Sequence, residues 1–115
     1  MYLWIMIIKD QIAAKSNDFL NLCLKHQVKY LYAFGSSTSD RFDEQKSDID
    51  LLVEIDDPDP VERGEKLLSL WDLFEKFFKR IDLLTDSSIH NPFLRKSIDS
   101  TKILIYDGTG QKILI

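Results

Sequence analysis

One cysteine, three prolines, four glycines and two histidines are all that this 115-residue chain has of the residues that usually staple, bend or metallate a small protein. The lone Cys23 excludes an internal disulfide and a cysteine-based zinc site, which suits a reducing cytoplasm. It falls among apolar residues of an expected helix, where a thiol is buried and inert. His26 and His90 lack a second histidine at metal-ligand spacing; the first closes a helix and the second precedes a helix cap. Positive charge is also short, with 15 Lys and Arg against 19 Asp and Glu and a net charge of -4. The basic footprint of a protein that grips phosphates along a polynucleotide is therefore missing, and no direct nucleic-acid contact is expected. The apolar opening run Tyr2-Leu3-Trp4-Ile5-Met6-Ile7-Ile8 is far short of the ~20 residues that span a bilayer. It has no basic segment before it and no small-residue cleavage site, so a signal peptide is not expected. It reads as a strand or a partner-facing segment. With the apolar tail Gln111-Lys112-Ile113-Leu114-Ile115, it is a candidate for pairing with the other terminus or with another chain.

What is present describes an ordinary globular domain, 44% hydrophobic and 30% charged, with neither repeats nor low-complexity stretches. The length fits one domain, residues 1–115. Ile12, Phe19, Leu20, Cys23 and Leu24 recur at helical spacing and predict one amphipathic helix over about residues 10–27. Val28 to Phe34 is β-branched and aromatic and ends at Gly35, a strand. Ser36 to Phe42 reads as a turn or short helix and Asp43 to Lys46 as a solvated loop. Ile49, Leu51, Val53 and Ile55 alternate with Asp48, Asp50, Leu52 and Glu54, a period of two that gives a strand with one apolar face. Asp59-Pro60-Val61-Glu62 is a helix start, with an acidic cap, proline at the first helical position and glutamate where a capping box wants it. Leu67, Trp71, Phe74, Phe78 and Ile81 carry that helix onward as core residues. Asp56, Asp57 and Asp59 serve solvation and capping. Ile81 to Thr85 is a strand, Asn91-Pro92 starts a short helix, and Lys102 to Tyr106 is a last strand stopped by Asp107-Gly108. The order predicts an α/β (α+β) domain, a mixed sheet of about four strands with helices on one face.

Two fragments carry chemistry. Gly35-Ser36-Ser37 is a turn that lets phosphate approach the backbone, and Ser36 adds a hydroxyl and an N–H at a helix start. In Ser47-Asp48-Ile49-Asp50, two carboxylates spaced by two residues project from one face of a strand. Asp82 in Arg80-Ile81-Asp82-Leu83-Leu84 joins that face if Ile81 and Leu83 point into the core. Three converging carboxylates repel one another, and divalent cations remove the penalty. The set therefore predicts a metal-dependent phosphoryl or nucleotidyl transfer site. Asp48 and Asp50 would bridge two Mg²⁺, and Asp82 would complete the set and face the acceptor hydroxyl. Arg41 and Lys46 are available to phosphate but read first as solvated loop cations. For Gly35-Ser36 to meet Asp48, the first two strands must run antiparallel. Asp50 and Asp82 lie near the starts of their strands, so the long helix between them is a crossover joining parallel neighbours.

Ala33-Phe34-Gly35-Ser36, Ser47-Asp48-Ile49-Asp50-Leu51-Leu52-Val53 and Arg80-Ile81-Asp82-Leu83-Leu84-Thr85, with Asn91-Pro92-Phe93-Leu94-Arg95-Lys96-Ser97-Ile98 beyond them, closely resemble the minimal nucleotidyltransferases of the DNA polymerase beta superfamily. The resemblance covers about residues 28–107. It implies a polymerase beta palm-like fold. Gly35, Ser36 and Ser37 would hold the nucleotide, and Asp48, Asp50 and Asp82 would be the metal-binding and catalytic residues. It implies ATP and Mg²⁺, with transfer of AMP to a hydroxyl. For the family's antitoxin members that hydroxyl is a tyrosine of a cognate HEPN-domain toxin, so the resemblance implies an antitoxin with such a partner. Eleven residues separate Ser36 from Asp48, a longer connection than the family's commonest, and Ser39 stands where many members carry arginine. Two alternatives stay open: a non-catalytic antitoxin that neutralises its partner by binding, and a subunit of a small-molecule nucleotidyltransferase.

Overall fold

The computed structural model describes residues 3–35, 49–78 and 80–115, with side chains from residue 8 onward. The apolar opening is helical: α1 spans Leu3–Ala14, and α2 follows over Ser16–Lys25. Of the two readings of this run, strand or partner-facing segment, the strand is thus corrected from Leu3 onward. An unbroken apolar run has no period of two, and periodicity alone cannot tell such a run from a buried helix. The single helix expected over residues 10–27 is likewise two, broken at Lys15, whose φ of -140° is not helical. Ile8, Ile12, Phe19 and Cys23 are all buried and keep helical spacing across the break, so the hydrophobic pattern carried no sign of it. The polar run Lys15-Ser16-Asn17-Asp18 is where the chain turns, as suits residues that favour helix starts over interiors.

The sheet comprises β1 (Val28–Phe34), β2 (Ile49–Ile55), β3 (Ile81–Thr85), β4 (Ile103–Asp107) and β5 (Lys112–Ile113), in the order β3-β2-β1-β4-β5. β1 pairs antiparallel with β2 and with β4, while β2 and β3 are parallel. The mixed sheet and both predicted strand directions are therefore present. The fifth strand is an addition. The apolar tail folds back on β4, with Tyr106 opposite Ile113, rather than onto the N-terminal segment. The Asp107 carboxylate accepts from the Thr109 N–H at 2.9 Å and the Thr109 hydroxyl at 2.6 Å, which fixes that turn.

The crossover between the parallel strands is α3, Pro60–Phe78. Asp59 caps it by accepting from the Val61 N–H at 2.9 Å. Asp57, paired with Lys66, accepts from the Asp59 N–H at 3.0 Å. Phe74 and Phe78 of α3 bury against Phe19 of α2, with the Phe19 and Phe74 rings stacked 5.6 Å apart. Burial of such rings dominates core energetics, and each ring pair contributes ~0.5–1.5 kcal/mol beyond its buried area. His26 closes α2 and is buried. Its Nδ1 lies 2.8 Å from the Leu22 carbonyl and must donate to it, while Nε2 meets the Ser69 hydroxyl of α3 at 2.9 Å. The ring ties two helices together.

Ile49, Leu51, Val53, Ile81, Leu83 and Ile105 face α1, α2 and α3 in one core. The other sheet face carries a second, smaller cluster of Phe34, Leu52, Ile89 and Ile98, with Tyr32 and Leu84 against it. Ile98 belongs to α4, Pro92–Thr101. Helices on one face thus describes α1 to α3, and α4 lies across the second face. Asn91 caps α4, accepting from the Phe93 N–H at 2.9 Å. Among the described residues, no helix is long and apolar enough to cross a membrane.

Candidate active site

Side-chain alternation decides which face each acid takes. Ile49 and Leu51 are committed to the main core, so Asp50 between them projects from the opposite face together with Leu52. Ile81 and Leu83 bury in the same core, so Asp82 projects with Leu84. The parallel register sets Asp50 directly beside Asp82. Neighbouring strands lie about 4.8 Å apart, so these two carboxylates leave one face of adjacent strands at one level. The Ile49 N–H donates to the Arg80 carbonyl at 3.0 Å and locks the level from its first residue. Asp50 is half-buried and Asp82 exposed, a gradient from the sheet towards solvent.

The turn after β1 arrives at the same place. Phe34 is opposite Asp50 across the antiparallel pair, which puts Gly35 against the Asp50 side chain. Gly35 has φ +65°, and a Cβ built on it would lie 2.8 Å from Asp50 Oδ2. Both the left-handed backbone and the missing side chain are therefore required. The Gly35 N–H donates to Thr101 Oγ1 at 3.1 Å. What the glycine offers to a phosphate is thus a bare Cα surface, since that N–H is engaged within the fold. Thr101 was invisible to sequence reasoning: it lies 66 residues from Gly35, and a threonine at a helix end carries no functional signature.

Ser36, Ser37, Ser39, Arg41, Lys46 and Asp48 lie outside the described residues. Of the predicted set, the described part contains Gly35, Asp50 and Asp82, and it gathers all three at one sheet end. Two carboxylates in register beside a bared backbone fit the hard oxygen chemistry of Mg²⁺, which takes only one or two carboxylates from a protein and keeps other positions for water and phosphate. Among the described residues alone, no three acidic, histidine or cysteine side chains cluster. His26 and Cys23 are elsewhere, in the core. Burial pushes the Cys23 thiol up to about 12, consistent with an inert side chain.

Fold and site together define a class. The family model for the nucleotidyltransferase domain matches residues 17–105. The chain belongs to that family and is a nucleotidyltransferase. Two proteins of Methanocaldococcus jannaschii that carry the provisional name protein adenylyltransferase are similar over 82 residues: MJ1379 at 38% identity and MJ0126 at 35%. In each case the match spans 70% of this chain and 80% of the relative. Among solved structures, two variants of the toxin–antitoxin complex MntA–HepT share the fold. One has a TM-score of 0.53 at 21% identity, covering 81% of this chain and 72% of that one. The other has a TM-score of 0.50 at 19% identity, covering 79% and 72%.

Proposed function

We propose that the protein is an antitoxin that transfers AMP from ATP to a hydroxyl, a tyrosine of a cognate HEPN-domain protein, with Asp48, Asp50 and Asp82 as its acidic set. The observation that carries the reading is the in-register pairing of Asp50 with Asp82 on one sheet face, with Gly35 set against the Asp50 carboxylate. Similarity to proteins named as protein adenylyltransferases supports AMP transfer to protein. The fold shared with toxin–antitoxin complexes supports the partner class.

Mg²⁺ held by Asp50, Asp82 and Asp48 would supply neutralisation of the triphosphate and of the charge that develops during transfer. The remaining work belongs to this chain's residues. Gly35 gives the triphosphate a surface free of side-chain bulk, with Ser36 and Ser37 following it in sequence. Asp50 is held at the sheet, oriented by the strand on either side of it. Asp82, the more exposed acid, faces incoming acceptor and takes the proton of its hydroxyl. The acceptor oxygen bonds to the α-phosphorus as the bond to the β-phosphate oxygen breaks, and pyrophosphate leaves. Positioning and charge stabilisation, not covalent chemistry by the protein, account for the rate in such a transfer.

The test is intact-mass measurement of the HEPN partner after co-expression with the parent and with Asp82→Ala. The parent should give AMP adducts and the variant none, while both still bind the partner. An exposed acid contributes little to the fold, so loss of transfer would not be loss of structure. If the parent gives no adduct, yet parent and variant both neutralise the partner in cells, the protein acts by binding alone.

A further inference from the structure

The Thr101 hydroxyl is used twice, and the two uses are directional. Oγ1 lies 2.6 Å from the Ser97 carbonyl, which can only accept, so the hydroxyl proton is spent there. The lone pairs left on Oγ1 then receive the Gly35 N–H at 3.1 Å. Threonine is stiff at χ1, so its methyl group and the bond back to the preceding turn hold that oxygen in one place. The helix behind it is itself held at three points. Asn91 caps its first turn, Arg95 pairs with Asp86 at 2.5 Å, and Ile98 is fully buried against the sheet. Asp86 directly follows β3, the strand of Asp82. A continuous strut therefore runs from the Asp82 strand through α4 to the Gly35 turn.

We propose that Thr101 is a positioning residue for the nucleotide site, fixing the Gly35 turn against Asp50. The assignment rests on reading Gly35, Asp50 and Asp82 as that site. Without the hydroxyl, the bond from the Gly35 N–H to Thr101 is lost, and the left-handed turn loses one contact that holds its height above Asp50. The residue touches no substrate; it acts through Gly35. Its removal should weaken nucleotide binding while the core, which Thr101 does not enter, stays intact.

The experiment compares the parent with Thr101→Val, which keeps the shape without the hydroxyl, and Thr101→Ser, which keeps the hydroxyl. Two readouts are taken: exchange of the Gly35 amide proton by NMR, and the dissociation constant of Mg–ATP by calorimetry. A net hydrogen bond of ordinary strength corresponds to about two- to tenfold in an opening equilibrium. Thr101→Val should speed Gly35 exchange by that factor and weaken Mg–ATP binding comparably, with Thr101→Ser restoring both. Equal Gly35 exchange in parent and Thr101→Val overturns the clamp. Faster exchange with unchanged Mg–ATP affinity overturns the positioning role. A parent that binds no Mg–ATP refutes the nucleotide reading of the site, and the positioning role with it, while the exchange data still report on the hydrogen bond.

Discussion

Adding one methyl group at either of two glycines should have opposite consequences. At Gly35 the backbone sits at φ +65°, a region where a Cβ costs about 1–2 kcal/mol. The new Cβ would also fall 2.8 Å from Asp50 Oδ2, so the carboxylate or the turn must shift. Gly64, inside α3, has open space where its Cβ would go, with no heavy atom within 4 Å. There alanine should stabilise by about 0.5–1 kcal/mol through helix propensity. For a domain of this size ~1 kcal/mol moves the melting temperature by about 4–8 °C. Gly35→Ala should therefore lower it by about 5–15 °C and Gly64→Ala raise it by a few degrees. The assays are thermal unfolding by circular dichroism and, on the proposed function, AMP transfer to the HEPN partner. Gly35→Ala should also lose transfer out of proportion to its stability, because the displaced group is Asp50. Gly35→Asn separates the causes. Asparagine tolerates the left-handed region but still carries a Cβ, so it should recover stability more than transfer. A Gly35→Ala protein that melts with the parent and transfers AMP at the parent rate would refute the geometry derived for this turn.

Further outcomes follow from the core, the caps and the titrating groups. Phe74→Ala removes a fully buried ring stacked on Phe19 and should cost about 3–5 kcal/mol in urea unfolding. A loss under ~1 kcal/mol would mean that the ring is not in the core. Asn91→Ala strips the cap of α4 and should cost about 1 kcal/mol, whereas Asn91→Asp should hold. Hydrogen bonding from Lys66 and then from the Asp59 N–H holds the Asp57 carboxyl below its ordinary 3.8, and Thr109 does the same for Asp107. A depressed carboxyl stabilises the fold above its unfolded value and loses that contribution as pH falls through the folded one. The melting temperature should thus be level from about pH 7 to 5 and fall below about 4, with a smaller fall in Asp57→Asn; an undiminished fall would count against the pair. Cys23, pushed up to about 12, should resist alkylation at pH 8 until the protein is unfolded by denaturant.

The parts of the fold legible in the sequence were those where one signal had one physical cause. The alternation through Ile49, Leu51, Val53 and Ile55 fixed the face of β2, and Asp59-Pro60 and Asn91-Pro92 marked the starts of α3 and α4 because capping is local chemistry. Strand directions were legible through the site: Gly35-Ser36 ends one strand and Asp48 was expected to begin the next, so a meeting of the two demanded the antiparallel pair that β1 and β2 form. Elsewhere the pattern was degenerate. Residues 2–8 are apolar throughout and suit strand or helix equally. The break at Lys15 preserves the spacing of the buried residues on either side, so helix pattern and broken-helix pattern coincide. β5 is two residues long and owes its existence to the turn built on Asp107 and Thr109, which is tertiary rather than periodic. Thr101 is the extreme case. Its role depends on α4 lying across the second face, and no local rule states where a helix will land.

That dependence also runs the other way, from core to site. Asp82 faces Asp50 only because Ile81 and Leu83 are claimed by the main core, and a slip of one residue in β3 would turn Asp82 inward and the two apolar side chains outward. The register is held by hydrophobic burial on one face, by the Ile49 N–H to Arg80 carbonyl bond at the strand starts, and by the crossover helix whose start the Asp59 cap sets. None of these residues would touch a nucleotide. On the proposed reading, the acids need no dedicated scaffold of their own. They occupy the alternate positions of strands whose other positions fold the protein, which is how 115 residues can hold both a core and a transfer site.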